Sequence, residues 1–66
     1  MNRSPTETLR LEIERFLRRT GMAPTTFGQG AVGDPNLVDD LRRGRELRFR
    51  TVLKIQAFLN QQRQSA

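Results

Sequence analysis

Residues 23–44 have the sequence APTTFGQGAVGDPNLVDDLRRG, and this stretch decides the fold. Its apolar spacing predicts two short helices, at about 24–32 and 35–43. A Gly-Asp-Pro turn at 33–35 separates them. Glycine favours a helix end, aspartate caps the next helix, and proline suits its first position. The stretch therefore predicts a tightly connected helix pair with a run of arginines directly behind it.

The inner side of this pair is small and apolar. Phe27 and Ala31 stand i,i+4 on the inward face of the first helix. Gly28 and Gly30 each cost about 1 kcal/mol relative to alanine, so we expect the backbone of the second helix to approach closely at Gly28. The second helix carries a narrow apolar stripe, formed by Leu37, Val38 and Leu41.

A longer helix is predicted at about 5–20. Ser4, Pro5 and Glu7 form a capping-box start, and Gly21 is placed to end the helix. Glu14 and Arg18 stand i,i+4 on the outer side and predict an ion pair, whereas Arg15 and Arg19 repel mildly unless an anion intervenes. The inward stripe consists of Leu9, Ile13, Phe16 and Leu17.

A fourth helix is predicted at about 48–61, after a basic connector and before a frayed tail at 62–66. One apolar stripe consists of Val52, Ile55, Phe58 and Leu59. A second stripe lies beside it, so the helix is apolar over more than one core-facing side requires. It is either deeply buried or serves a partner, and the candidate dimer surface is Phe49, Leu53 and Ala57.

Composition narrows the function classes. The 66 residues contain no cysteine and no histidine, which excludes zinc fingers, thiol chemistry and imidazole catalysis. We see no catalytic constellation, no metal site and no nucleotide loop, so we expect neither an enzyme nor a cofactor nor a small-molecule substrate. No apolar run approaches the length of about 20 residues that spans a bilayer, so we expect no membrane partner and a cytoplasmic, nucleoid-associated protein.

Charge favours nucleic acid as a partner. The net charge is +5, and every basic residue except Lys54 is arginine. Guanidinium forks match phosphate and guanine well. The alternative from composition alone is a helical domain that happens to be rich in arginine.

The spacing within 24–43 resembles the helix-turn-helix of the lambda-repressor-like (Cro/C1, XRE) family. Phe27 and Gly28 match its inward large-then-small pair, and Val38 and Leu41 match the apolar sites of its recognition helix. The run TVLKI at 51–55 is similar to a segment of the helix that follows. The resemblance covers about residues 5–60 and implies an all-α, four-helix, lambda-repressor-like helix-turn-helix domain over 1–66.

The resemblance also implies double-stranded DNA as the partner. Helix 35–43 would lie in the major groove, where Asn36, Asp39 and Arg43 would contact bases. A short recognition helix reads few base pairs, so a homodimer is expected, and other transcription proteins are further partners. The implied phosphate contacts are Thr25, Thr26, Gln29, Arg42, Arg45 and Arg48.

Two features depart from the family pattern. Val32 stands where the turn glycine is usual, and Gly33 follows one residue later. Asp39 and Asp40 occupy positions where base-reading residues are common. Three interpretations of Asp39 stay open: it accepts from cytosine, it supports Arg43 as an i,i+4 partner, or the helix does not read DNA. The competing hypothesis is a protein-interaction module on the same fold.

Overall fold

The protein is all-helical in the part that the structure, a computed structural model, describes: the backbone of residues 4–64 and the side chains of residues 4–63. Four helices follow one another: α1 (Pro5–Thr20), α2 (Pro24–Val32), α3 (Leu37–Arg42) and α4 (Phe49–Gln64). None of these described helices is long and apolar enough to cross a membrane.

The first two helices have the predicted bounds because their ends are decided by local residues. The Ser4 hydroxyl accepts from the Glu7 backbone N–H at 3.1 Å, which caps α1. Gly21 ends α1 in the left-handed conformation, and Gly33 ends α2 in the same way. Ala23 precedes α2 as its N-cap residue and provides no side-chain cap.

The predicted start of the third helix is wrong by two residues. The Asp34 carboxylate accepts from the Asn36 N–H at 2.9 Å, and the Asp34 carbonyl accepts from the Leu37 N–H at 3.2 Å. Asp34 therefore organises a turn, and Pro35 lies in that turn instead of in the first helical position. Asn36 is the N-cap residue of α3 and makes no side-chain cap. Arg43 is the C-cap residue, just beyond the last helical residue.

The fourth helix starts one residue later and ends later than predicted. The prediction of a frayed tail is wrong for residues 62–64, which are helical. No glycine or proline follows Asn60, and glutamine and arginine are good helix formers, so nothing local stops α4 at 61. Residues 65 and 66 lie outside the described residues.

One apolar core joins all four helices. α2 packs on both α3 and α4, and α1 packs on α3 and α4. The Phe27 ring lies 5.6 Å from that of Phe16 and 5.2 Å, edge-on, from that of Phe58. The buried apolar residues are Leu9, Ile13, Phe16, Leu17, Phe27, Leu37, Val38, Leu41, Ile55 and Leu59.

The close approach expected at Gly28 is present. A Cβ on this residue would overlap the carbonyl oxygen of Asp34 and would lie 3.1 Å from the Leu37 Cβ. Gly28 therefore allows the start of α3 to pack directly on the backbone of α2. The structure thus explains why a helix former was not used at this position.

Candidate functional site

The outer side of α3 carries the three residues that the sequence assigns to base contacts. Leu37, Val38 and Leu41 point into the core, whereas Asn36, Asp39 and Arg43 are exposed, as is Arg42. An Arg43 nitrogen lies 3.8 Å from an Asp39 carboxylate oxygen. The i,i+4 pair that one interpretation of Asp39 requires is therefore present. Both side chains are more than 60% exposed, so the pair is weak and easily exchanged.

Arg42 is held much more firmly, and its partner is on α1. Its Nε and Nη2 atoms donate to the two carboxylate oxygens of Glu14, each at 2.8 Å. This bidentate hydrogen bond lowers the pKa of Glu14 below its ordinary value. Desolvation of the carboxylate raises the pKa by a smaller amount, and the charge of Arg10 lowers it further. The pKa of Arg42 is raised for the same reason. To offer the same Nε and Nη2 fork to a phosphate, Arg42 has to leave this partner.

The predicted pairing of Glu14 with Arg18 is replaced by this contact across the fold. Glu14 lies within ion-pair distance of Arg42 and, at 4.0 Å, of Arg10. Arg18 still attracts Glu14 at longer range and contributes to its lowered pKa, but helical spacing within α1 did not identify the close partner, because Glu14 faces α3. No local signal in the sequence indicates a partner 28 residues away.

The other two predicted phosphate-binding arginines lie in different surroundings. Arg45 donates to the Asp40 carboxylate at 2.8 Å. It lines a depression that also includes Lys54 and Thr51, near the first turns of α4. Arg48 is exposed and has no ion pair among the described residues. The structure therefore places Arg42 against α1 and Arg45 towards α4, so the predicted set is divided.

The predicted polar contacts of α2 lie together. Thr25, Thr26 and Gln29 are exposed and line one open, shallow depression with Gly30 and Pro35. Because Pro35 directly precedes Asn36, this depression connects the first turns of α2 with the start of α3. The first backbone N–H groups of a helix have no partner within it, and they attract anions.

The predicted dimer surface is an apolar patch on the outer face of α4. Phe49 is 76% exposed and Leu53 is 48% exposed, and Ala57 is exposed beside them. The neighbouring stripe of the same helix faces the core through Ile55 and Leu59. The sequence left open whether this helix is deeply buried or serves a partner. The structure shows that its second apolar stripe is not buried within the chain.

One polar residue with a structural role was missed. Thr6 is buried, and its hydroxyl accepts from the Leu47 backbone N–H at 3.3 Å. It ties the connector before α4 to the first turn of α1. Its position three residues before Leu9 on the inward stripe was the available signal.

The described residues contain no group of three or more acidic, histidine or cysteine side chains that would hold a metal ion.

Comparisons of the chain with protein-family models, with curated proteins and with solved structures found no match.

Proposed function

We propose that the chain binds double-stranded DNA through α2 and α3, as a lambda-repressor-like helix-turn-helix regulator of transcription. The observation that carries this proposal is the division of α3 into two sides. Its apolar side packs on α2 at Gly28, and its polar side is exposed next to the depression at the start of α2. A recognition helix needs this arrangement, because it must be held rigidly while its outer side chains reach the base edges.

The exposed side chains have suitable chemistry for the major groove. Asn36 offers an amide that pairs with adenine, and Arg43 offers a fork that pairs with guanine. Asp39 either accepts from a cytosine amino group or holds Arg43 in position through the 3.8 Å pair. Thr25, Thr26 and Gln29 would then donate to a phosphate from the start of α2. The further proposed phosphate contacts are Arg42, Arg45 and Arg48.

A second candidate function is recognition of a protein instead of DNA. One observation favours it: Arg42, Arg43 and Arg45 each lie within 4.0 Å of a carboxylate of this chain. An arginine neutralised in this way contributes less to the attraction of a polyanion. A surface of alternating acidic and basic side chains suits a protein partner with the complementary pattern.

Salt dependence separates the two candidates. We would select duplexes from a randomised library and measure their binding by fluorescence anisotropy at several salt concentrations. DNA binding must weaken steeply with salt, because each neutralised phosphate releases counterions. Absence of salt-sensitive duplex binding would exclude DNA and leave the protein-interaction function.

The recognition role is tested with a double variant, Asn36→Ala with Arg43→Ala. Each good base contact contributes about 1–3 kcal/mol of discrimination, so we expect at least about tenfold weaker binding to the selected duplex. The matched control is Arg18→Ala with Asn60→Ala, which removes the same two residue types from exposed positions on α1 and α4. Equal binding by the two double variants would disprove base reading by α3.

Binding as a homodimer is part of the same proposal. A single short helix reads few base pairs, so useful specificity needs two copies. The exposed patch of Phe49, Leu53 and Ala57 is the surface we assign to that contact, because large apolar side chains that cluster outside the core mark interaction sites.

A further inference from the structure

A cleft between α1 and α4 brings three arginines together near the C-terminal ends of both helices. The two helices run in the same direction, since Thr8 faces Val52 near one end and Arg19 faces Arg63 near the other. The cleft has a volume of about 190 Å³. Its lining consists of Glu12, Arg15, Phe16, Arg19, Leu59 and Arg63.

The three arginines of this cleft have no carboxylate partner. Among the described residues, none of Arg15, Arg19 and Arg63 lies within 4.0 Å of an acidic side chain, in contrast to Arg42, Arg43 and Arg45. Lack of a partner is not distinctive in itself, because exposed arginines elsewhere on the surface share it. The distinctive feature is that three such arginines line one depression.

Charge near the cleft remains positive after the local negative groups are counted. Glu12 offsets one of the three arginine charges. The C-terminal ends of α1 and α4 each carry about half a negative charge from the helix dipole, which explains part of the attraction of arginine to this region. Among the described residues, about one positive charge is left over. Arg15 and Arg19 also repel each other across one helical turn.

The floor of the cleft orients the Arg19 guanidinium. Phe16 and Leu59 are buried below it, and the Arg19 guanidinium carbon lies 5.8 Å from the centre of the Phe16 ring. Contact with an aromatic face holds a guanidinium in a restricted orientation and leaves its N–H groups free for an anion. The Arg19 guanidinium is therefore more restricted than that of a fully solvated side chain.

The cleft lies on a different side of α1 from the candidate DNA site. Glu14, which bonds Arg42 of α3, is two residues beyond Glu12, or about 200° around the helix. A ligand in the cleft would therefore not compete directly with a duplex on α3. This separation allows the two sites to be tested independently.

We infer that this cleft binds a phosphate group, held by the forks of Arg15, Arg19 and Arg63. Guanidinium forks bind phosphate oxygens in pairs, which gives both energy and orientation. The phosphate belongs either to a small phosphorylated molecule or to a nucleic-acid backbone. The chemistry of recognition is the same for both sources.

The test is a titration with inorganic phosphate at constant ionic strength, followed by NMR through the arginine Nε–Hε signals. We expect saturable shifts of the cleft signals. Arg15→Gln and Arg63→Gln should each raise the Kd about fivefold, which corresponds to about 1 kcal/mol, the upper end for an exposed ion pair. The control is Arg18→Gln, which removes the same charge from α1 outside the cleft and should leave the Kd unchanged.

Two results would overturn the inference. One is the absence of saturable phosphate binding by the parent chain. The other is an equal loss in Arg15→Gln, Arg63→Gln and Arg18→Gln, which would indicate general attraction by net charge. Circular dichroism of each variant verifies that these exposed substitutions leave the helices intact.

A duplex titration with the same variants distinguishes the two phosphate sources. If the phosphate belongs to a nucleic-acid backbone, the cleft is a second duplex-binding surface beside α3. Arg15→Gln and Arg63→Gln should then weaken duplex binding and each reduce the salt slope by about 1, unlike Arg18→Gln. If it belongs to a small molecule, both variants lose phosphate binding and retain duplex binding. Either result supports the site, and neither depends on base reading by α3.

Discussion

Gly28→Ala should destabilise the protein although alanine is the better helix former. A Cβ at this position would overlap the Asp34 carbonyl oxygen and lie 3.3 Å from the Asp34 carbonyl carbon. It would also lie 3.1 Å from the Leu37 Cβ. These are backbone atoms and the first side-chain atom, which no rotamer change can move. The substitution therefore has to push the start of α3 away from α2.

The magnitude follows from two opposing effects. Alanine gains about 1 kcal/mol over glycine inside a helix. Overpacking costs about 1–3 kcal/mol, and the upper end applies here because the overlap is with backbone. The net loss is therefore about 2 kcal/mol. In a domain of this size, each kcal/mol shifts the melting temperature by about 4–8 °C, so we expect a decrease of about 8–16 °C.

Gly30→Ala provides the control within the same helix. Its Cβ would lie 3.0 and 3.1 Å from two ring atoms of Phe58, a half-buried side chain that is able to shift. The strain and the gain in helix propensity should nearly cancel, to within about 1 kcal/mol. Thermal unfolding followed by circular dichroism measures both variants. A Gly28→Ala protein as stable as the parent, or equal shifts in the two variants, would refute the close approach of α3.

Two further predictions concern the ion pair and the dimer. Because the Arg42 hydrogen bond lowers the pKa of Glu14, this pair stabilises the fold above the unfolded-state pKa and is lost as the pH falls through the folded-state value. Between about pH 6 and about pH 3, urea titrations should therefore show a smaller loss of unfolding free energy in Glu14→Gln than in the parent, and parallel curves would contradict this. Sedimentation velocity of Leu53→Glu should show a lighter species than the parent and than Gln29→Glu, which adds the same charge at an exposed position of α2. The same mass in all three would refute the assigned surface.

The ends of α1 and α2 were predictable because their signals are local. Each of these helices starts at a proline and is followed by a glycine in the left-handed conformation. Such residues act through the backbone of their own turn, so they have the same effect in almost any surrounding fold. The buried faces of both helices were predictable for a similar reason, since helical periodicity alone selects the inward residues.

The start of α3 was not predictable from the same signals. Asp34 and Pro35 have the sequence of a cap and a first helical residue, but Asp34 uses both its carboxylate and its carbonyl to form a turn. The tight packing of Gly28 against this carbonyl fixes the turn. A tertiary contact six residues away in sequence therefore decides between two local conformations that the sequence allows equally.

The exposed residues of the candidate site were predictable from the sequence. The ion pairs that its arginines form were not. The periodicity of α3 correctly left Asn36, Asp39 and Arg43 outside the core. The state of each arginine depends on neighbours that are distant in sequence, as the bond from Arg42 to Glu14 shows. Counting basic residues consequently overstates the positive charge that α3 presents.

Ion pairs within the chain do not prevent these arginines from binding phosphate, but they set how much each arginine loses when it does so. Exposed ion pairs contribute about 1 kcal/mol or less. Arg43 can therefore exchange Asp39, whose carboxylate lies 3.8 Å away, for a phosphate at little cost. To offer its Nε and Nη2 fork to a phosphate, Arg42 must give up two short hydrogen bonds to Glu14 and the link between α3 and α1. Arg48, which has no ion pair among the described residues, gives up nothing. If α3 enters the major groove, Arg43 and Arg48 should therefore contribute most to binding, and Arg42 should contribute mainly to holding α3 in place.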